Sequence, residues 1–161
     1  MRSERDGECA GAAMTLAFAL VFALAGCASA PTPVQTTTLT TRAPADLLLK
    51  LADLPPGWTQ KSPAEFASPS QLIDQTVRVW NSTAEARAHY ANQSSTVKAK
   101  QTTEARAIGD DALSWDPSKR AQELHLLILK GNVVWELKSV APYGTHAPTI
   151  DHLGAALVAK Y

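Results

Sequence analysis

The chain has 161 residues, of which 45% are hydrophobic, and its 15 basic and 15 acidic side chains give a formal net charge of +0 at pH 7. A neutral chain lacks the basic surface that attracts nucleic acids and anionic lipids, so we expect no nucleic-acid partner. The hydrophobic content is that of one ordinary folded domain with its own core.

The N-terminal part has the pattern of an export signal. An apolar run over residues 10–23 is followed by Leu24-Ala25-Gly26-Cys27. This combination resembles the lipobox of bacterial lipoproteins. The resemblance implies that residues 1–26 are a signal peptide, that the bond between Gly26 and Cys27 is cleaved, and that the Cys27 sulfur carries a diacylglycerol. Two acyl chains then hold the protein stably on the extracytoplasmic side of the cell membrane, which is a partner through this lipid.

An uncleaved membrane anchor is the alternative for the same segment. Residues 10–26 reach the lower limit of the roughly 17–25 residues that cross the hydrocarbon layer. The first eight residues carry three acidic side chains and two arginines, whereas a secretory leader begins with basic residues. Cleavage would remove Cys9 and leave Cys27 without a cysteine partner, so we expect no intramolecular disulfide.

Residues 27–45 are predicted to be a lipidated tether. This segment is rich in threonine and proline and offers too little apolar surface to fold. A flexible coil of this length reaches roughly 25 Å. The folded domain is predicted to occupy residues 46–161.

The first elements of the domain are predicted from local signals. Residues 46–52 suggest a short helix, which Pro55 and Pro56 end. An irregular stretch follows up to residue 70, and the alternation over residues 75–81 predicts a strand. Ser82 and Glu85 are spaced as a capping pair at the start of a helix. This helix carries a stripe of alanines, with two further residues beside it: Ala84, Ala88 and Ala91, then Ala86 and Tyr90.

The second half is predicted to be mostly strands. One strand is expected on either side of Gly109-Asp110-Asp111, and residues 124–129 and 133–140 form two more around the hairpin turn Lys130-Gly131-Asn132. The last of these strands should turn Val133, Trp135 and Leu137 inward. Thr149 is predicted to cap a final helix with the apolar stripe Ile150, Leu153, Leu157 and Tyr161. This order predicts an α+β fold: a single domain with a mostly antiparallel, curved sheet and helices packed on it.

Three short motifs carry a further resemblance. The segments at residues 53–58 and 108–112 and the hairpin at residues 130–134 resemble those of small bacterial cell-envelope lipoproteins and of the extracellular sensor domain of mycobacterial serine/threonine kinases. The resemblance implies a sheet curved around a ligand cleft and transfers no catalytic residues. The kinase sensor relies on disulfides that this chain is unable to form.

No enzyme motif is found in the sequence, and the prediction is that the protein is not an enzyme. The four histidines fall on different predicted elements, and neither a zinc-protease helix nor a serine-hydrolase elbow is present. His146 and His152 are interpreted as surface residues, and neither a metal nor a cofactor is expected. The cluster of Asp110, Asp111 and Asp116 is interpreted as part of a turn in which Asp110 or Asp111 satisfies local backbone N–H groups.

The predicted function is binding, of an envelope ligand or a protein partner. Most tryptophans should lie in the core, but Trp58 follows a Pro-Pro-Gly loop, and with Tyr143 in the loop at residues 142–148 it is a candidate ligand-binding residue. The first alternative is an envelope hydrolase with a dispersed site, in which His125 acts with Asp110 or Asp111. The second is a purely structural envelope accessory.

Overall fold

A seven-stranded antiparallel sheet organises the computed structural model, which describes residues 38–118, 122–142 and 145–161. In these residues the strand order is β1-β2-β3-β7-β6-β5-β4. The strands are β1 (Thr59–Ser62), β2 (Glu65–Ala67), β3 (Leu72–Val79), β4 (Thr103–Ala105), β5 (Asp111–Trp115), β6 (Glu123–Lys130) and β7 (Val133–Val140). Two α-helices, α1 (Thr83–Lys98) and α2 (Ile150–Val158), pack on the sheet. The predicted α+β fold with a single antiparallel sheet is confirmed.

The hairpin of β6 and β7 lies at the centre of the sheet, as predicted. Gly131 adopts a left-handed φ of 57° in its turn, a conformation that glycine reaches without strain. In β7 the side chains of Val133, Trp135 and Leu137 are fully buried. Strand β6 contributes apolar side chains to a core on each face of the sheet, because both of its faces are covered.

The two faces of the sheet carry different layers. We call the side that α2 covers the inner face; its core includes Trp135, Leu153 and Leu157. The side that α1 covers is the outer face, with a smaller core that includes Tyr90 and Leu127. The stripe of Ile150, Leu153 and Leu157 on α2 and its cap by Thr149 are confirmed.

Helix α1 begins as predicted but buries a different stripe. The Ser82 hydroxyl accepts a hydrogen bond from the Glu85 N–H group at 3.2 Å. The buried side chains are Ala86, Tyr90 and Ser94, spaced four residues apart. The alanines predicted to face the core, Ala84, Ala88 and Ala91, are exposed. Alanine tolerates solvent well, so its spacing was a poor guide to the buried face.

The start of the domain also differs from the prediction. Two 3-10 helices, Pro44–Leu47 and Leu51–Asp53, replace the helix expected at residues 46–52, because Leu47 and Leu49 both enter the inner core. Residues 38–54 form an ordered segment, which we call the N-terminal strap. Its first part was assigned to the tether, yet Thr40 exchanges two backbone hydrogen bonds with the Asn132 side chain, at 2.9 and 3.1 Å.

Strands β1 and β2 occupy the stretch predicted to be irregular. Both strands are short, and β1 is wholly polar. They are extended because β2 pairs with β3 and β1 pairs with β2. Among the described residues, no helix combines the length and apolarity that a membrane crossing requires.

Candidate binding cleft

The outer face carries a row of side chains that crosses five of the seven strands. Strand register places Trp115 opposite His125, His125 opposite Lys138, Lys138 opposite Asp74, and Asp74 opposite Glu65. Directly paired residues point to the same face. The row therefore begins with an aromatic pair near α1 and ends with charged residues that are open to solvent at Asp74 and Glu65.

A cleft of about 240 Å³ opens where α1 leaves this face. Helix α1 supplies one wall and three strands supply the floor and the other wall. The cleft is lined by Asn92, Gln93, Thr96, Val97, Trp115, Leu127 and Glu136. A second hollow beside it is lined by residues that include Glu136, His125 and Lys138. Glu136 lines both, so the two hollows adjoin on this face, and we call them together the outer cleft.

Two buried polar atoms on the outer cleft have no hydrogen-bond partner within the described part of the chain. They are Oε1 of Gln93 and Nδ1 of His125. Buried polar atoms in folded proteins are paired in the great majority of cases, and an unpaired one costs about 1–3 kcal/mol. A bound molecule would supply the missing partners. Trp80 Nε1 is also unpaired, but Trp80 lies at the other end of α1, against His89.

The His125 ring is fixed on two sides. It stacks on Trp115 with ring centroids 4.8 Å apart and an interplanar angle of 23°. Its Nε2 lies 2.8 Å from Oε1 of Glu123, which also lies 3.2 Å from Nζ of Lys138. The hydrogen bond from His125 does most to lower the pKa of Glu123; partial burial opposes the shift, and Lys138 adds to it.

This arrangement sets the tautomer of His125. An ionised carboxylate only accepts hydrogen bonds, so the Nε2–H group of His125 donates to Glu123. In the neutral ring Nδ1 is then an acceptor. Gln93 Oε1 is an acceptor without a donor, and Nδ1 of the neutral His125 ring is another.

The residues predicted from sequence to form the binding site do not meet in the outer cleft. Trp58 belongs to the inner core and is 8% exposed, so the structure gives it a packing role and leaves little of its ring for a ligand. Tyr143, the proposed lipid-attachment residue Cys27 and its neighbour Gly26 lie outside the described residues.

The predicted pairing of His125 with Asp110 or Asp111 is wrong. Asp110 accepts hydrogen bonds from the Gly131 N–H group at 2.7 Å and the Lys130 ammonium at 2.8 Å. Asp111 accepts one from the Tyr90 hydroxyl at 3.1 Å, and burial, with this carboxylate, raises the pKa of Tyr90. Asp111 pairs with Leu129, four residues, or roughly 13 Å, along β6 from His125. The carboxylate beside His125 is Glu123.

A serine and a histidine do meet elsewhere. Oγ of Ser139 lies 2.8 Å from Nδ1 of His146, the geometry of a nucleophile and its base. However, Ser139 is fully buried and accepts a hydrogen bond from Nε2 of Gln71 at 2.7 Å. The same Gln71 side chain also binds the backbone of Ala147 and Pro148. We interpret this network as the anchor of the loop before α2.

No group of three or more metal-ligating side chains occurs in the residues that the structure describes. The prediction that Asp110 satisfies a local backbone N–H group is wrong in its partner, because the group that it satisfies belongs to Gly131, in the turn between β6 and β7. Asp116 accepts from the N–H group of Ser118 at 2.8 Å, as a local turn residue does.

Sequence reasoning missed Gln93 and the pairing of Trp115 with His125. Gln93 lies in a polar stretch of α1 that gives no sign of burial. Trp115 and His125 come together only because β5 pairs with β6 in one particular register. The one available signal was the wholly apolar run around His125, which makes a lone polar side chain on a central strand conspicuous.

No known protein family matches the sequence, and no curated protein matches it. Among solved structures, the chain is similar to the extracellular domain of PknH from Mycobacterium tuberculosis, with a TM-score of 0.40 and 13% identity. The match covers 60% of this chain and 58% of that chain, so less than two thirds of the PknH domain is spanned. It is the class of domain that the turn motifs resemble, and it adds no functional residue to the outer cleft.

Proposed function

We propose that this protein is a lipid-anchored extracytoplasmic module that binds a ligand in the outer cleft. The observation that supports the binding function is the pair of buried, unpaired polar atoms, Gln93 Oε1 and His125 Nδ1, at the two adjoining hollows on either side of the ring pair of Trp115 and His125. Ligand pockets combine apolar walls with a few polar groups that fix orientation. The lipid anchor is supported by the sequence at Gly26 and Cys27.

Binding is tested on the full chain purified from bacterial membranes in detergent. Glycan, lipid and peptidoglycan fragments are screened by thermal unfolding, where a ligand at 100 times its Kd stabilises by about 2.7 kcal/mol and so raises the Tm by several degrees. Two substitutions on α1 form a matched pair: Thr96 lines the cleft and Ser95 does not. Both are exposed, and their hydroxyls donate to the same carbonyl, that of Asn92.

The expected result is a Tm increase that Thr96→Tyr abolishes and Ser95→Tyr retains. A screen in which no compound raises the Tm, or in which both variants respond as the wild type does, would refute binding in the outer cleft. A compound that binds and is also converted, as shown by mass spectrometry of the mixture, would favour the hydrolase alternative.

Lipid attachment has its own test. The intact mass of the protein from membranes should correspond to a chain that begins at Cys27 and carries acyl chains, while Cys27→Ala should remain at the precursor mass. A wild-type protein that still contains Met1, or whose Cys27 thiol reacts with maleimide, would contradict the anchor.

A further inference from the structure

We infer that the ligand of the outer cleft is a neutral N-acetylated sugar unit, with its ring against Trp115 and its amide N–H group donating to Gln93. This inference rests on the proposed binding function and names its ligand class.

Trp115 provides a flat surface for a sugar ring. One side of the indole stacks on His125, which restrains it, and the residue lines the cleft while remaining half-buried. The C–H face of a pyranose ring is apolar and flat, and it matches such a surface. A rigid aromatic side chain gives this contact area at little loss of conformational entropy.

The polar groups of the outer cleft call for a ligand that donates hydrogen bonds. Gln93 Oε1 is a buried acceptor without a donor, as is Nδ1 of the neutral His125 ring in the adjoining hollow, and the carboxylate of Glu136 lines both hollows as a third acceptor. Sugar hydroxyls and amide N–H groups are donors of the right kind.

The charge of the walls disfavours an anion. The seven residues that line the hollow at Trp115 include the acidic Glu136 and no basic side chain, so a phosphate or carboxylate would meet like charge there. Lys138, in the adjoining hollow, is paired with Glu123 at 3.2 Å. An anion is therefore disfavoured, and a neutral ligand avoids the cost of burying a charge.

The apolar part of the wall favours an acetyl group. Leu127 and Val97 line the cleft together with Gln93, so a methyl group and an amide N–H group would be accommodated side by side. An acetamido substituent carries both on adjacent atoms. A plain hydroxyl in its place would leave the apolar wall without a contact.

Isothermal titration of the full protein in detergent tests this inference with two neutral trisaccharides. N,N′,N″-triacetylchitotriose and cellotriose share one β-1,4-linked backbone and differ in the acetamido group. We expect the acetylated sugar to bind about tenfold more tightly, since one neutral hydrogen bond and a methyl contact are at stake. Gln93→Ala should reduce this preference to less than about threefold while cellotriose binding persists, and Thr96→Tyr should abolish binding of both sugars while Ser95→Tyr retains it.

Equal affinity for the two sugars would overturn the inference, as would a Gln93→Ala variant that keeps the full preference. Failure of both sugars to bind overturns it as well, and in that case the proposed binding function stands only if another compound from the screen gives a Tm increase that Thr96→Tyr abolishes. The two proposals therefore fail separately.

Discussion

The Gln75 side chain joins the N-terminal strap to the sheet. Its Oε1 accepts a hydrogen bond from the Leu49 N–H group at 2.8 Å, and its Nε2 donates to the Leu49 carbonyl at 3.1 Å. Gln75 is 2% exposed and Leu49 is 1% exposed, so water does not replace these bonds. The side-chain amide of Gln75 thus makes the two hydrogen bonds to Leu49 that a backbone residue of a neighbouring strand would make.

Gln75→Leu keeps nearly the same volume but removes both bonds. Two buried backbone groups of Leu49 then lose their partners, at about 1–3 kcal/mol each. The more apolar leucine side chain offsets a part of this loss. We expect the free energy of unfolding to fall by about 2–4 kcal/mol. Thr76→Ala, the next position along β3 and exposed on the opposite face, is the control and should change it by less than about 0.5 kcal/mol.

Urea unfolding at pH 7, followed by far-ultraviolet circular dichroism and by tryptophan emission, measures both variants. The indole N–H group of Trp135 donates to the Leu47 carbonyl of the strap at 2.9 Å, so emission also reports on the strap. If the strap detaches before the sheet unfolds, the unfolding curves from circular dichroism and from tryptophan emission will no longer coincide, and the m-value will fall. A Gln75→Leu variant as stable as Thr76→Ala would refute this account of the strap.

Three further predictions concern the core, a turn and pH. Trp135→Ala should lower the free energy of unfolding by about 3–5 kcal/mol and Lys138→Ala by less than about 1 kcal/mol in urea titrations; equal, small losses would mean that β7 is inverted. Gly109→Ala should be less stable than Gly57→Ala in the same assay. Both glycines have a positive φ, but of the two only Gly109 would place the new Cβ 2.5 Å from a backbone oxygen. Equal losses of unfolding free energy in the two variants would contradict this. Burial raises the pKa of Asp110, but hydrogen bonds from a backbone N–H group and an ammonium group outweigh it and hold the pKa below its ordinary 3.8. The stability that this lowered pKa provides is present above pH 3.8 and is lost as the pH falls through the pKa of the folded state. The Asp110→Asn variant should therefore show a smaller decline of Tm between pH 5 and pH 2. An unchanged decline would contradict this role of Asp110.

Local signals in the sequence identified the caps and the central hairpin, because the interacting groups lie within a few residues of each other. The caps at Ser82 and Thr149 and the turn at Gly131 are of this kind. The alanine spacing predicted the wrong buried face for α1. The buried face is set by Tyr90, which contacts the sheet and donates a hydrogen bond to Asp111, and these contacts are not visible in the sequence of the helix. Strand β1 is polar and is defined by its partner, so its sequence alone gives no strand signal.

The outer cleft depends entirely on tertiary arrangement. Its tryptophan comes from β5, its unpaired amide from α1 and its carboxylate from β7. Sequence reasoning instead favoured Trp58, since a tryptophan after a Pro-Pro-Gly loop is expected at the surface. The strap and sheet bury it, as its place in the inner core shows. An aromatic residue that follows a turn is thus a weak guide to an exposed binding surface.

The N-terminal strap holds the start of the described chain away from the outer cleft. Besides the clamp at Gln75, the Asn132 amide both accepts from and donates to the backbone of Thr40, and the Tyr161 hydroxyl donates to the Thr38 carbonyl at 2.6 Å. These contacts gather the start of the described chain at the turn between β6 and β7. His125 lies five residues before Lys130, at the end of β6 that meets this turn, which is roughly 17 Å along the strand. A pull on the N-terminus therefore acts first on the contacts that Thr38 and Thr40 make with Tyr161 and Asn132, and these lie roughly 17 Å along β6 from the stacked pair of the outer cleft.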